Sequence, residues 1–243
     1  MISSLRPGRR SLSRAQSALS NLVDRREVLH FLHIGKTAGT QISHLGRQIS
    51  DRSGLFRFEG HGHAAGLADL PNGSLYFFST RDPIARFVSG FYSRKRKGMP
   101  RTYSEWTPHE ALAFAAFDHA DDLACQLSDG ANRQGEAVAA MRSISHVAML
   151  QGDPFRCMGH FLQLRPPVHI LRQERLEEDV AVLARKLRLD VTPRFTSDPV
   201  KAHRNDYSDV PPLSETARAN LRAWYAGDYA FLRQCEDWIA SHP

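Results

Sequence analysis

Cysteine is scarce: the 243 residues hold three, Cys125, Cys157 and Cys235, far apart and with no CxxC pair. This excludes a disulfide-stapled scaffold and a cysteine-based zinc site, and it predicts buried thiols in a reducing compartment. Long apolar runs are missing too. Without about eighteen consecutive apolar residues, no integral membrane segment is expected. The first 27 residues are rich in Ser and Arg and lack the apolar centre of a secretory signal. Their composition approaches that of a transit peptide, but Asp24 and Glu27 argue against one, so residues 1–27 are expected to be a flexible basic tail. With neither signal nor anchor, the expected location is cytoplasmic. Internal repeats are absent, and a single domain over 28–243 is the economical expectation. Acidic residues are the minority charge, 26 against 32 Lys plus Arg, and the resulting +6 favours an anionic partner: phosphate, sulfate, acidic glycan or nucleic acid. What the chain does have is 42% hydrophobic residues, enough for one sizeable core, which excludes a disordered chain.

Val28, Leu29, Phe31, Leu32 and Ile34 form a short apolar run that predicts a buried strand. Gly35 to Thr40 break it, and Ile42, Leu45 and Ile49 then recur at the spacing of an amphipathic helix ending between Asp51 and Gly54. A second short strand is expected over 55–59, leading into Gly60-His61-Gly62-His63, and a third over 75–79. Asp82 is placed as N-cap and Pro83 as first residue of a helix reaching Lys95, with Ile84, Phe87, Val88, Phe91 and Tyr92 on its apolar face. From Lys97 to about Gln163 a helical insertion is expected, with helical composition over 108–117 and 137–150. A strand over 168–171 precedes a helix marked by Leu176, Val180, Leu183 and Leu187. A polar loop over 193–212 then leads to a final helical region from Ser214 through Trp238. Its aromatics Trp224, Tyr225, Tyr229, Phe231 and Trp238 are expected to pack onto the core. The strand-then-helix order predicts an α/β fold, a three-layer domain with a central, largely parallel sheet and a helical insertion.

Gly35-Lys36-Thr37 stands where a strand turns into a helix, and unpaired N–H groups with the helix dipole attract an anion there. A Walker A loop would need glycine five positions before Gly35, and His30 occupies that position inside the strand. Arg81 leaves the third strand, with Ser89 two helical turns on. If that strand lies beside the one before Lys36, both cations emerge at the same carboxyl edge, where open α/β sheets bind ligands. Arg81 could then give a phosphate a forked pair of hydrogen bonds and Ser89 its hydroxyl. Equally, Lys36 could be a solvated charge, Arg81 could pair with Asp82, and Arg86 could form an internal salt bridge.

His33-Ile34-Gly35-Lys36-Thr37-Ala38-Gly39-Thr40 resembles the 5′-phosphosulfate loop of Golgi-type and bacterial carbohydrate sulfotransferases, usually HIPKTGGT. Arg81 to Ser89, followed by Gly90-Phe91-Tyr92, resembles their 3′-phosphate motif, RDPxxRxxSxYY. Gly35 replaces the usual proline and Ala38 the usual glycine; both are small. The resemblance is clear over 28–93 and implies a P-loop-like fold that uses 3′-phosphoadenosine 5′-phosphosulfate as co-substrate without a metal. By the same resemblance, Gly35, Lys36, Thr37, Ala38, Gly39 and Thr40 would hold the 5′-phosphosulfate, and Arg81 and Ser89 the 3′-phosphate. Sulfuryl transfer to an alcohol needs a base for the hydroxyl proton and a cation for the departing phosphate, tasks suited to imidazole and to Lys36. Gly60-His61-Gly62-His63 resembles the His-Gly-His segment of heparan sulfate and uronyl 2-O-sulfotransferases, which implies His63 as base, His61 as its supporting neighbour and Glu59 as a reserve base. His33 is expected to be structural beneath the loop.

Arg204, in Lys201-Ala202-His203-Arg204-Asn205, falls where this family often has a late loop over the nucleotide and is a candidate donor contact. Arg94-Lys95-Arg96-Lys97 is either a solvated face or the wall of an acidic-acceptor cleft. The expected activity is transfer of the sulfuryl group to a hydroxyl of a carbohydrate or glycolipid acceptor by in-line displacement. Two other classes compete. A P-loop nucleotide kinase or NTPase lacks its acidic magnesium strand here, because 75–79 ends in Thr80-Arg81. A basic module binding nucleic acid has charge in its favour but no recognised motif, so no nucleic-acid partner is expected.

Overall fold

The computed structural model describes residues 24–128, 130–158, 160–195, 207 and 209–243. Arg204 with the rest of 201–205, residues 1–23 of the tail and most of the 193–212 loop lie outside the described residues. Strands β1 (Glu27–Leu32), β2 (Phe56–Gly60), β3 (Leu75–Thr80) and β4 (Ile170–Arg172) form one sheet in the order β2-β1-β3-β4. Every neighbouring pair is parallel. Successive side chains alternate between faces. Leu29, Phe31, Phe77 and Leu171 therefore enter one core, against Ile42, Leu45 and Ile49 of α1 (Gly39–Arg52). Leu32, Tyr76, Phe78 and Ile170 enter the other core, against Phe155, Phe161, Cys235 and Trp238.

Helix α2 (Pro83–Lys95) starts as its sequence demands: the Asp82 side chain accepts from the Ala85 N–H at 2.8 Å, and Pro83 fills the first turn. The insertion is more finely divided than its composition suggests, into α3 (Pro108–Ala116), α4 (Ala120–Cys125), α5 (Gln134–Ser143), α6 (Ser145–Ala148) and α7 (Phe161–Leu164). The helix expected over 137–150 breaks at Ile144, which takes an extended backbone and buries its side chain completely. After β4, α8 (Leu176–Leu187) packs Val180, Leu183 and Leu187 on the α1 side of the sheet. The last helical region is two helices, α9 (Glu215–Trp224) and α10 (Ala226–Ser241), joined at the buried Tyr225. Its aromatics do join the cores: Tyr225 in the insertion core, Trp238 and Phe231 beneath the sheet. Among the described residues no helix is long and apolar enough to cross a membrane.

A buried ion pair ties α2 to the insertion. Arg94 forks onto Glu110 with two 2.8 Å bonds, and the two side chains are 7% and 1% exposed. Burial pushes the Glu110 carboxyl up, but Arg94 and the N–H groups of Thr107 and Ser145 outweigh it and hold its pKa down at about 2. Glu110→Ala leaves a buried guanidinium unpaired and is expected to destabilise the protein by about 3–5 kcal/mol, measured by urea unfolding. In the wild type this contribution is whole above an ordinary glutamate pKa of 4.5 and is lost as pH falls towards about 2. An unfolding midpoint insensitive to the substitution would contradict the assignment.

Candidate active site

β2 lies on one side of β1 and β3 on the other, so the chain changes direction across the sheet between β1 and β3. The carboxyl ends of two such strands form a crevice suited to a ligand. At the end of β1 the chain turns through Lys36 and Ala38, both left-handed at φ 69°, whereas Thr37 between them is not. Alternation of hand of this kind curls successive N–H groups into an anion-binding concavity. It costs about 1–2 kcal/mol at each left-handed residue.

Side chains hold the turn in this form. The Thr37 hydroxyl donates to the Ile34 carbonyl at 2.7 Å, and Arg86 Nε donates to that of Gly35 at 2.8 Å. Arg81 Nη1 donates to the Lys36 carbonyl at 3.2 Å, and the Ser79 hydroxyl to that of Thr37 at 2.7 Å. Four consecutive carbonyls are thus bound from the protein side. In a trans peptide the following N–H points the opposite way, so the N–H groups of Gly35, Lys36, Thr37 and Ala38 face away from these anchors. The loop presents donors to an incoming ligand. Gly39 follows because His33 requires it: a Cβ there would lie 1.7 Å from His33 Nε2. Ala38, where the resembling loops carry glycine, bears the left-handed strain that glycine would avoid.

Lys36 Nζ donates to Ser93 Oγ at 2.5 Å. Burial first, then the positive charges of Arg96, Arg81, Arg94 and Arg101, push its pKa down to about 8. Ser93 lies one helical turn beyond Ser89, and Arg86, Ser89 and Ser93 share the face of α2 that meets the loop. Ser89 is buried on that face. Arg101 donates to the Thr40 hydroxyl at the start of α1. Arg81 is fixed by its own main chain, whose N–H and carbonyl are both held by the buried amide of Gln151 at 2.9 and 2.8 Å. Asp82 is occupied as a helix cap and accepts from Tyr229, rather than pairing with Arg81. Arg86 is fully internal, 3.9 Å from Asp228. The cationic run at the end of α2 is largely paired: Arg94 with Glu110, Lys95 with Asp118, and Lys97 with Glu105 while lying over Trp106.

His63 stands beside this loop. Its Nδ1 lies 3.0 Å from the His33 carbonyl, and since a carbonyl only accepts, the neutral ring takes the tautomer with the proton on Nδ1 and the lone pair on Nε2. The His63 ring packs on His33 at 4.2 Å and meets His146 edge-on at 5.5 Å. His33 is pushed down to about 4 and His146 to about 3, in both cases chiefly by burial, so both are neutral near pH 7. His61 takes a different partner from the one its sequence position suggests: its Nε2 lies 2.9 Å from His30 Nδ1. Glu59 is exposed at the end of β2.

Lys36, Arg81, Ser89 and His63 are therefore brought to one edge of the sheet, with the Thr37 hydroxyl turned inward and only its main chain left for a ligand. Ser93, Gln151, Arg101 and His146 belong to the same site without any local motif. Only Ser93 carried a signal, its four-residue spacing from Ser89. No family model matches the chain, and no curated protein matches it.

Proposed function

We propose that the chain is a sulfotransferase of P-loop-like fold that moves the sulfuryl group of 3′-phosphoadenosine 5′-phosphosulfate to a hydroxyl of a carbohydrate or glycolipid. The observation that carries this reading is the loop whose four carbonyls are tied back, so that its N–H groups point away from those anchors, with Lys36, Arg81 and His63 held against the same loop. The donor has two anionic ends. The loop and Lys36 would take the phosphosulfate, Arg81 and Ser89 the 3′-phosphate.

The acceptor hydroxyl gives its proton to His63 Nε2 as its oxygen attacks sulfur. The new O–S bond forms in line with the S–O bond to the bridging oxygen, which breaks and leaves its electron pair on the departing 5′-phosphate. The Lys36 ammonium and the loop N–H groups neutralise that charge, as preorganised donors aimed at a developing anion do. Neutral His33 and His146 add no competing charge beside the base.

Calorimetric titration with 3′-phosphoadenosine 5′-phosphate, adenosine 5′-phosphate and magnesium ATP tests the reading. Selective binding of the bisphosphate is expected; preference for magnesium ATP would overturn it in favour of a kinase. Arg81→Ala should weaken the bisphosphate by about 10- to 100-fold, the loss of a charge-assisted fork, and adenosine 5′-phosphate less, because that nucleotide loses only the Arg81 anchor on the Lys36 carbonyl. Equal losses for both nucleotides would remove Arg81 from the 3′-phosphate.

A further inference from the structure

A second group of ligating side chains gathers at the carboxyl ends of β1 and β2. The parallel register sets His30 directly against Glu59 and Phe31 against Gly60. His30 and Glu59 consequently point to one face of the sheet. The chain continues so that the His61 N–H donates to the Phe31 carbonyl at 3.0 Å, which keeps its ring on the same edge. The result is two imidazole nitrogens 2.9 Å apart, with a Glu59 carboxylate oxygen and both nitrogens all within 4.8 Å of one another.

We propose that His30, Glu59 and His61 bind a divalent transition-metal ion, with zinc the best fit. Two imidazoles and one carboxylate are the donor set of zinc and its neighbours, whereas calcium and magnesium prefer oxygen throughout. With Zn–N distances of about 2.0–2.1 Å, two nitrogens on a tetrahedral ion lie about 3.4 Å apart, so the histidine pair needs to open by only about half an ångström. Glu59 completes the set at the cost of only a weak ion pair. Its side chain is 45% exposed and its contact with Arg57 is long, at 3.5 Å. Arg57 beside the cluster disfavours a cation, and the Glu59 charge offsets it. Three protein ligands leave a position for water.

Such an ion would do no chemistry on sulfur. It would clamp the segment 60–63 to β1, and that segment carries His63. Sequence spacing conceals the cluster, because 29 positions separate His30 from Glu59 and only the strand register unites them. The proposal does not rest on the sulfotransferase reading.

The test uses the untagged full chain, stripped with a chelator and titrated with Zn²⁺ and separately with Co²⁺. One equivalent is expected to bind, Co²⁺ developing the intense visible absorption of a low-coordinate ion, and Zn²⁺ raising the melting temperature. Glu59→Gln and His61→Gln should each lower affinity about tenfold or more, whereas His63→Ala should bind as the wild type does. Glu59 is on the surface, so Glu59→Gln should melt like the metal-free wild type, which separates loss of a ligand from loss of the fold. Failure to bind an equivalent, unchanged affinity in Glu59→Gln and His61→Gln, or loss of binding in His63→Ala would each overturn the site and leave His30 and His61 as a hydrogen-bonded pair.

Discussion

His63→Ala is expected to lower kcat for sulfuryl transfer by about 10²–10⁴ while leaving affinity for 3′-phosphoadenosine 5′-phosphate within about twofold, because a positioned base contributes that much and touches only the acceptor proton. The separation of the two effects is the informative part. His63 is held through Nδ1 by the His33 carbonyl and packed between two neutral rings, so its removal takes away Nε2 without moving a cation or a loop N–H. Transfer assays with product-nucleotide release as the readout, beside calorimetry, measure both quantities. Turnover equal to that of the wild type would sink the assignment. His61→Ala should have a smaller effect on kcat, since its ring is engaged with His30.

Lys36→Ala should also be severe, at about 10²–10³ in kcat, the scale on which single donors to a developing charge act. It has a pH signature as well. Lys36 is protonated below about 8, so kcat/KM, which reports the free enzyme, should fall as pH rises through that value. Lys36→Arg keeps the charge at all accessible pH and should carry that limb upward, even if its geometry lowers the plateau. A limb that stays at about 8 in Lys36→Arg would mean that another group titrates there.

Most of the framework was legible from spacing. A short apolar run announced β1, apolar spacing announced the helices α1, α2 and α8, and Asp82-Pro83 marked a helix start that the Ala85 N–H bond bears out. The convergence of Lys36 and Arg81 needed only the supposition that β1 and β3 are neighbours, and they are. What escaped depended on packing between distant segments. Nothing near His146 or Gln151 hints that one would meet His63 and the other would clamp Arg81. Proximity in sequence points His61 towards His63, whereas strand register sets it against His30. Thr37 sits in the middle of the turn, yet its hydroxyl is spent on Ile34, a direction set by the left-handed residues on either side. Ile144 has helical neighbours and still leaves the helix, because its side chain fills the core.

His146 makes the insertion something other than a detachable module. It comes from the four-residue helix α6, yet an added Cβ on Gly35 would come within 3.2 Å of its ring, and one on Gly90 within 3.2 Å of its Cβ. Any attempt to graft 97–163 from another chain would also exchange a wall of the Gly35–Thr40 loop. Recipient and graft would have to match at positions 35 and 90, and only chimaeras keeping small residues there and histidine at 146 would inherit the architecture of both halves.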